Sequence, residues 1–124
     1  MTQAAVLASN ASLMTTPSGT APNYMCRAWV NFNGTGVVAI RASGNVTSIT
    51  DNGTGDYTVN FTTAMPDANY AVNLTSRITA INIAPVVANL LTTTTPTASL
   101  FRMVTDRNGV GVVDPDYVFA SVFR

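Results

Sequence analysis

Two carboxylates and two glycines lie within the short run DNGTGD at residues 51–56. Oxygen-rich turns of this kind can bind calcium, but an EF-hand loop needs an oxygen ligand at its third position and a Glu at its end. Here the third position is Gly53, and the chain contains no Glu. Calcium-binding β-roll motifs also use Gly-x-Gly, but they need tandem copies, and this chain has one. The run therefore favours a hairpin turn with Asn-Gly chemistry.

Paired carboxylates could also hydrolyse a glycosidic bond, and the sequence offers Asp51 with Asp56 and Asp114 with Asp116. Such catalysis needs one carboxyl with a raised pKa beside an ionised partner. Both pairs lie in turn-like sequence, where water keeps carboxylates ionised. A Ser or Cys nucleophile would need a base, and the chain has no His, Lys or Glu. Zinc is disfavoured because only one Cys and no His are present. We predict no catalytic, cofactor-binding or metal-binding residues.

Aromatic side chains are the remaining candidates for a binding surface. Trp29 and the four tyrosines could stack on sugars or on protein partners. On alternating strands, aromatic residues more often face the core. Trp29 differs, because it shares its predicted strand face with Arg27 and Asn31. We therefore predict a subunit interface at Arg27, Trp29 and Asn31.

The composition supports an assembly of several copies. A chain of 124 residues fits one domain, and only 10% of it is charged, against about 25% in ordinary globular proteins. All basic residues are Arg, all acidic residues are Asp, and the net charge is zero. So little charge indicates that part of the surface is buried against other chains; the alternative is a neutral monomer covered by Thr and Asn. No basic field points to nucleic acid.

Neither a disulfide nor membrane insertion is expected. Cys26 is the sole cysteine, and we predict that it is a buried, small apolar residue. The amino terminus lacks the features of a secretory signal. No apolar run approaches the roughly 20 residues that cross a bilayer.

From Tyr24 onward the pattern is typical of β-strands. Cys26, Ala28, Val30 and Phe32 alternate with the predicted interface residues. The same alternation places Tyr57, Val59 and Phe61 on one face, and Tyr117, Phe119 and Phe123 on another. Short strands separated by turn signals predict an all-β fold, an antiparallel β-sandwich of jelly-roll or Greek-key type.

The predicted turns are at 33–36, 42–45, 52–55, 106–109 and 114–116, and the path of the chain from Ala80 to Leu91 is left open. The side chains that these turns are expected to expose at loop tips are Asn33, Thr35, Asn52, Thr54, Asp56, Arg107 and Asn108.

Residues 1–23 differ in composition from the rest of the chain. They carry no charge, are rich in Ala, Ser and Thr, and end in PSGTAPN. The segment Ala4–Leu13 fits either a helix or a strand. We predict an amino-terminal arm or linker at 1–23, disordered alone and ordered against a neighbour, and a β-domain at 24–124.

The run Cys26–Val72 resembles the knob-like β-domain at the carboxyl-terminal ends of tail-fibre proteins of tailed bacteriophages. A similar domain forms some short stand-alone virion proteins. The sequence segments that carry the resemblance most specifically are AWVNFNGTG, at 28–36, and SITDNGTGDYTVNFTTAMPDANYAV, at 48–72. The resemblance implies a non-enzymatic knob displayed on the virion surface, usually a homotrimer, after assembly in the host cytoplasm.

Three functions follow as hypotheses. A tail-fibre knob would contact host-surface glycans through its exposed end and other virion proteins through residues 1–23. A tail fibre carries a long shaft, whereas only 23 residues precede this domain, so a cement protein that decorates and stabilises a capsid is the alternative. A polysaccharide-degrading appendage is the third, and the missing bases argue against it.

Overall fold

The computed structural model describes residues 2–6, 20–79 and 85–124, and nine β-strands lie within these ranges. The strands are β1 (Cys26–Asn33), β2 (Ala39–Gly44), β3 (Val46–Gly53), β4 (Asp56–Phe61), β5 (Ala71–Arg77), β6 (Val86–Leu90), β7 (Leu100–Arg107), β8 (Gly111–Val112) and β9 (Tyr117–Phe123). Helix is limited to residues 3–6 in the described part of the chain. The prediction of an all-β fold is confirmed.

The strands form two antiparallel sheets. The first sheet has the order β2–β1–β9–β5, and the second has the order β3–β4–β7–β6 with β8 paired to β7. In the first sheet the earliest strand lies beside the last one, and Trp29 faces Ser121. This pairing joins residues from both halves of the sequence, so the first sheet needs nearly the whole chain to form.

A single hydrophobic core takes side chains from both sheets. The alternation predicted for β1 and β4 is confirmed, because Ala28, Val30 and Phe32 are buried, as are Tyr57, Val59 and Phe61. The other buried apolar side chains are Val46, Met65, Phe101, Met103, Val118, Ala120 and Val122. Phe32 of the first sheet meets Tyr57 of the second edge-on, with ring centroids 5.2 Å apart. Such edge contacts are favourable for aromatic pairs, and this one joins the two sheets.

The antiparallel strands give the domain two opposite ends. The chain enters β1 at Cys26 and leaves β9 at Arg124, and the register places these positions close together. We call this the Cys26 end; Asn45 and the loops at 62–70 and 91–99 also lie there. The loops at 34–38, 54–55, 108–110 and 113–116 lie at the other end, which we call the Pro115 end.

Two turns are tighter than the sequence suggests. The turn predicted at 42–45 shrinks to Asn45, because β2 continues to Gly44 and β3 begins at Val46. Asn45 has a positive φ of 55°, a conformation that Asn tolerates better than most residues. Its side-chain amide donates to the carbonyl oxygens of Arg27, at 3.1 Å, and Thr63, at 3.0 Å. Asn45 therefore reverses the chain and ties both sheets together at the Cys26 end.

The turn predicted at 52–55 also moves. Asn52 and Gly53 belong to β3, and the reversal uses Thr54 and Gly55. Gly55 has a φ of 65°, and a Cβ there would lie 2.6 Å from the carbonyl oxygen of Thr105. A side chain at this position would therefore be both strained and crowded. The Asn-Gly pair does not form the turn; the following Thr-Gly pair does.

The turn predicted at 106–109 starts two residues later. Asp106 pairs with Val112 and Arg107 with Gly111, which extends β7 and leaves 108–110 as the turn. The region from Ala80 to Leu91, left open from sequence, contains β6 at Val86–Leu90. Residues 80–84 lie outside the described residues.

Cys26 is exposed, so the prediction that it is buried is wrong. The register between β1 and β9 shifts between Cys26 and Ala28, and inward alternation begins only at Ala28. The thiol donates to the carbonyl oxygen of Ala28 at 3.1 Å. Cys26 therefore lies at the edge of the core.

The predicted arm is described only in part. Residues 3–6 are helical, and 20–25 are exposed without regular secondary structure. The predictions for residue 1 and for residues 7–19 lie outside the described residues. Tyr24 and Met25 expose 75% and 58% of their surface just before β1. Two large side chains are therefore exposed to solvent at the junction between residues 1–23 and the β-domain.

Candidate interface on the outer face of the first sheet

The three predicted interface residues lie on the outer side of β1. Arg27 and Trp29 are exposed, and Asn31 is half-buried. Their neighbours on the strand, Ala28 and Val30, point into the core. The strand thus presents one cation, one indole and one amide on the same outer face.

Trp29 lies between two small cross-strand neighbours, Gly44 on β2 and Ser121 on β9. A Cβ added at Gly44 would lie only 2.4 Å from the indole Nε1. The glycine thus leaves the space into which the indole packs. Trp29 keeps 45% of its surface exposed, a large apolar area on a sheet face.

Strand β9 adds aromatic residues to the same face. Tyr117 and Phe119 stack with ring centroids 6.0 Å apart and an interplanar angle of 22°. Phe119 is 37% exposed, and it pairs with Asn31 across the strands. Sequence reasoning placed these rings on one strand face, counted Tyr117 among the possible stacking residues and favoured the core for it. The pairing of β1 with β9, which local alternation cannot supply, places Phe119 beside Asn31 on the face that Trp29 shares.

Two arginines converge on Tyr117 from the two edges of the sheet. The guanidinium carbon of Arg41, on β2, lies 3.9 Å from the centroid of the ring. That of Arg77, on β5, lies 5.2 Å from the same centroid. Cation–π contacts of this kind hold a guanidinium flat on a ring. Neither arginine was singled out from the sequence, where 36 positions separate them.

Asn31 brings a polar atom into this aromatic surface. Its Oδ1 is buried, and it accepts no hydrogen bond from the described residues. A buried acceptor without a partner costs about 1–3 kcal/mol. A shift of Asn31 upon contact with another chain could remove that cost.

The outer face of the second sheet has a different character. The side-chain amide of Asn60 donates to the hydroxyl oxygens of Ser48, at 3.2 Å, and Thr50, at 3.0 Å. The amide of Asn52 donates to the hydroxyl oxygen of Thr58 at 2.9 Å. These groups bond one another, whereas the first sheet exposes Trp29, Phe119 and arginines, the residue types enriched at interfaces.

The seven predicted loop-tip residues all lie towards the Pro115 end, but they are not equally exposed. Thr35, Asn52, Thr54 and Asn108 are exposed. Asn33, Asp56 and Arg107 are half-buried, because each belongs to a strand end and not to a turn. The side-chain Oδ1 of Asn33 accepts from the hydroxyl of Thr35 at 2.8 Å, which makes that loop self-supporting.

Asp56 forms an ion pair with Arg102 and is not a freely exposed loop-tip residue. Its carboxylate oxygens accept from Arg102 Nε at 2.7 Å and from Arg102 Nη2 at 2.6 Å. These hydrogen bonds are the main reason that the pKa of Asp56 lies below its ordinary value. The fork geometry of this pair is the most favourable one for an arginine and a carboxylate.

The two carboxylate pairs considered for hydrolysis have separate partners. Asp51 accepts from the backbone amide of Gly53 at 3.0 Å. Asp114 accepts from the backbone amide of Gly55 at 2.7 Å and, like Asp116, is half-buried although it lies outside the strands. Asp116 accepts from the backbone amide and the hydroxyl of Thr79, and these bonds lower its pKa. Each carboxylate thus stabilises a turn or a strand end.

The described ranges, 2–6, 20–79 and 85–124, lack three features. Within them, no group of three His, Cys, Asp or Glu side chains is placed to hold a metal ion. The surface of these ranges contains no pocket. No helix in the described residues is long and apolar enough to cross a membrane.

No protein-family model matches this chain, and no curated protein and no solved structure matches it either.

Proposed function

We propose that this protein is a non-enzymatic structural protein of a bacteriophage virion, a homotrimeric β-sandwich knob at the particle surface. The resemblance of Cys26–Val72 to tail-fibre knobs supports the virion assignment. The observation that carries the proposal of self-association is the outer face of the first sheet. Trp29 exposes 45% of its surface there beside Arg27 and Asn31, whereas β3 and β4 of the second sheet present hydrogen-bonded Ser, Thr and Asn. Aromatic and arginine side chains of this kind dominate the binding energy of interfaces.

The polarity of the domain supports a displayed knob. Residues 20–25 lead into β1 at the Cys26 end, and the predicted loop tips lie towards the Pro115 end. In the proposed arrangement, residues 1–23 attach the knob of 24–124 to other virion proteins. The opposite loops then point away from the particle, where they can contact host-surface glycans.

The alternative, a capsid cement protein, uses the same attachment segment. Exposure of Tyr24 and Met25, which lie between this segment and β1, supports docking of another protein at that junction under either hypothesis. The two hypotheses differ in what the Pro115 end does. A knob binds host cells, whereas a cement protein does not bind them and its loss weakens the capsid.

Sedimentation of the full chain tests the self-association. We expect a species of three times the 13.0 kDa chain mass at micromolar concentration. Trp29→Ala should shift this species towards monomer, because it removes exposed apolar area from the proposed contact. The far-ultraviolet circular dichroism spectrum should not change, since no core contact is lost. The matched control is Val87→Ala, which truncates a side chain that is 47% exposed on the second sheet. A native protein that sediments as a monomer contradicts the trimer. A trimer that Trp29→Ala leaves unchanged contradicts the proposed interface.

Imaging of intact virions tests the location. We expect the protein at an exposed position on the tail, neck or capsid, and we expect particles to lose it when residues 1–23 are deleted. A deletion variant that still trimerises in solution shows that the loss is one of attachment. Normal incorporation of that variant would contradict the role of the segment.

A further inference from the structure

The outer face of the first sheet holds two arginines around one ring. Arg41 and Arg77 come from the two edge strands, and their guanidinium carbons lie 3.9 and 5.2 Å from the centroid of Tyr117. Two like charges so near each other repel. The cation–π contacts offset part of that cost and orient both groups. Both side chains are exposed, so their remaining donors face water.

Neither arginine of this pair forms an ion pair with a carboxylate in the described residues. All acidic side chains of the sequence are Asp, and all six lie in the described ranges. The ion pairs found there join Arg102 to Asp56 and Arg124 to Asp67. Asp116 is the carboxylate whose charge acts on Arg77, and it offsets part of that charge while its oxygens accept hydrogen bonds from Thr79; Arg41 has no such carboxylate within the described ranges. The arginines therefore form a local positive site on a chain of zero net charge.

The arrangement favours a planar anion attached to a larger ligand. A guanidinium donates two parallel hydrogen bonds to a carboxylate, and two guanidiniums can bind one carboxylate from two sides. Phe119, 37% exposed beside Tyr117, offers an apolar surface next to the charges. A carboxylated sugar carries both an anionic group and an apolar ring face. The open surface leaves room for the rest of an oligosaccharide.

The site does not compete for the position of Trp29. Trp29 pairs with Ser121, and Tyr117 lies four residues away along β9, towards the Pro115 end. Four residues of a strand span about 13 Å. A subunit contact centred on Trp29 thus leaves the arginines at its rim, on the side where the predicted loop tips lie.

We propose that Arg41, Arg77 and the Tyr117–Phe119 stack form a binding site for the carboxylate of an acidic saccharide. This inference rests on the proposed display of the knob at a host surface, and it names the class of glycan. Tyr117 positions the guanidiniums, the guanidiniums bind the carboxylate, and Phe119 packs against the sugar ring.

Calorimetry with the full chain tests the site. The probes are a glucuronate-containing oligosaccharide, its neutral glucose counterpart of equal length, and inorganic phosphate. We expect binding of the acidic probe alone, weakened by salt. Loss of one charge-assisted contact should weaken binding about tenfold. Arg41→Gln and Arg77→Gln should therefore each lower the affinity for the acidic probe by about this factor. The double variant should bind no probe. Arg124→Gln is the matched control, since it removes one positive charge at the Cys26 end.

Every outcome decides the proposal. Equal binding of the acidic and neutral probes, no binding of the acidic probe, or undiminished binding by the double variant would overturn it. Binding of phosphate in place of the acidic saccharide would overturn the carboxylate assignment. Sedimentation of the same samples tests the trimer independently of the saccharide site. A monomer that binds the acidic probe contradicts the trimer only. A trimer that does not bind the probe contradicts the saccharide site only.

Discussion

The phenolic hydroxyl of Tyr57 donates to Asp114 across 2.8 Å, joining positions that are 57 residues apart in the sequence. The hydroxyl also lies 3.1 Å from the carbonyl oxygen of Gly34. Tyr57 belongs to the second sheet, whereas Gly34 follows β1 of the first sheet. The hydroxyl of one buried tyrosine therefore closes the Pro115 end, where Gly34 also donates to the carbonyl oxygen of Pro115 at 2.9 Å.

Removal of this hydroxyl should destabilise the domain. Tyr57→Phe keeps the ring but leaves Asp114 and Gly34 without their shared donor, a loss of about 1–3 kcal/mol for buried groups. Urea unfolding should show the decrease in the free energy of unfolding. Tyr24→Phe, at a side chain that is largely exposed, should change it by less than about 0.5 kcal/mol. Equal stability of the two variants would contradict the role of the hydroxyl.

Alkaline pH should weaken the fold through two tyrosines. Burial raises the pKa of Tyr70 to about 12, and burial together with Asp114 raises the pKa of Tyr57. A raised pKa means that folding favours the neutral phenol, so this stability is complete below pH 10 and is lost as the pH rises above it. The urea concentration at the unfolding midpoint should therefore decrease as the pH is raised from 10 to about 12. Tyr70→Phe should reduce that fall, and an unchanged midpoint in the native protein would contradict the prediction.

The ion pair of Asp56 with Arg102 should stabilise the second sheet modestly. The lowered pKa of Asp56 means that its contribution is complete above the ordinary carboxyl pKa of 3.8 and is lost as the pH falls through the lowered value. A double-mutant cycle of Asp56→Asn and Arg102→Gln at neutral pH should give a small favourable coupling energy that decreases with added salt. The same cycle on Asp67 and Arg124, a more exposed pair, should give less. A coupling near zero at Asp56 would show that the fork geometry adds nothing.

The thiol of Cys26 should react in the folded protein. It is exposed at the start of β1, so a thiol reagent should add one label without denaturant, as measured by intact mass. Cys26→Ser should remove the label and leave the urea midpoint nearly unchanged, since no core contact is lost. Labelling that requires urea would contradict the exposed position, and labelling only of dissociated chains would place Cys26 in a subunit contact.

Gly44→Ala should displace the indole of Trp29. The new Cβ would lie 2.4 Å from Nε1, closer than any real contact, so the ring must move. Trp29 is the sole tryptophan, and its fluorescence maximum should therefore shift. Ser121→Ala, at the other cross-strand neighbour, introduces no such overlap and should leave the emission unchanged. An identical spectrum in both variants would show that the indole does not lie against β2.

Several elements could be predicted because their signals are local. Alternation of residue type has the period of a strand, so Val30, Tyr57 and Val59 could be assigned to the core from neighbouring residues alone. Turn limits were less accurate. The chain reverses at Thr54-Gly55 and not at Asn52-Gly53, because contacts with Thr105 and Val113 select the residue that must lack a side chain.

The candidate site was only partly accessible from sequence. Alternation placed Arg27, Trp29 and Asn31 together because they share one strand. Arg41 and Arg77 could not be found in that way, since they reach Tyr117 from opposite edges of a four-stranded sheet.

The sequence by itself determined the β class, the inward and outward faces of several strands, and the low charge from which we propose association. Only the tertiary structure decided which strands are neighbours, and with it the partners of Asp56 and Asp114 and the meeting of two arginines at Tyr117. The physical reason is that strand faces follow from a local two-residue period, whereas strand neighbours follow from pairing and core packing between distant segments.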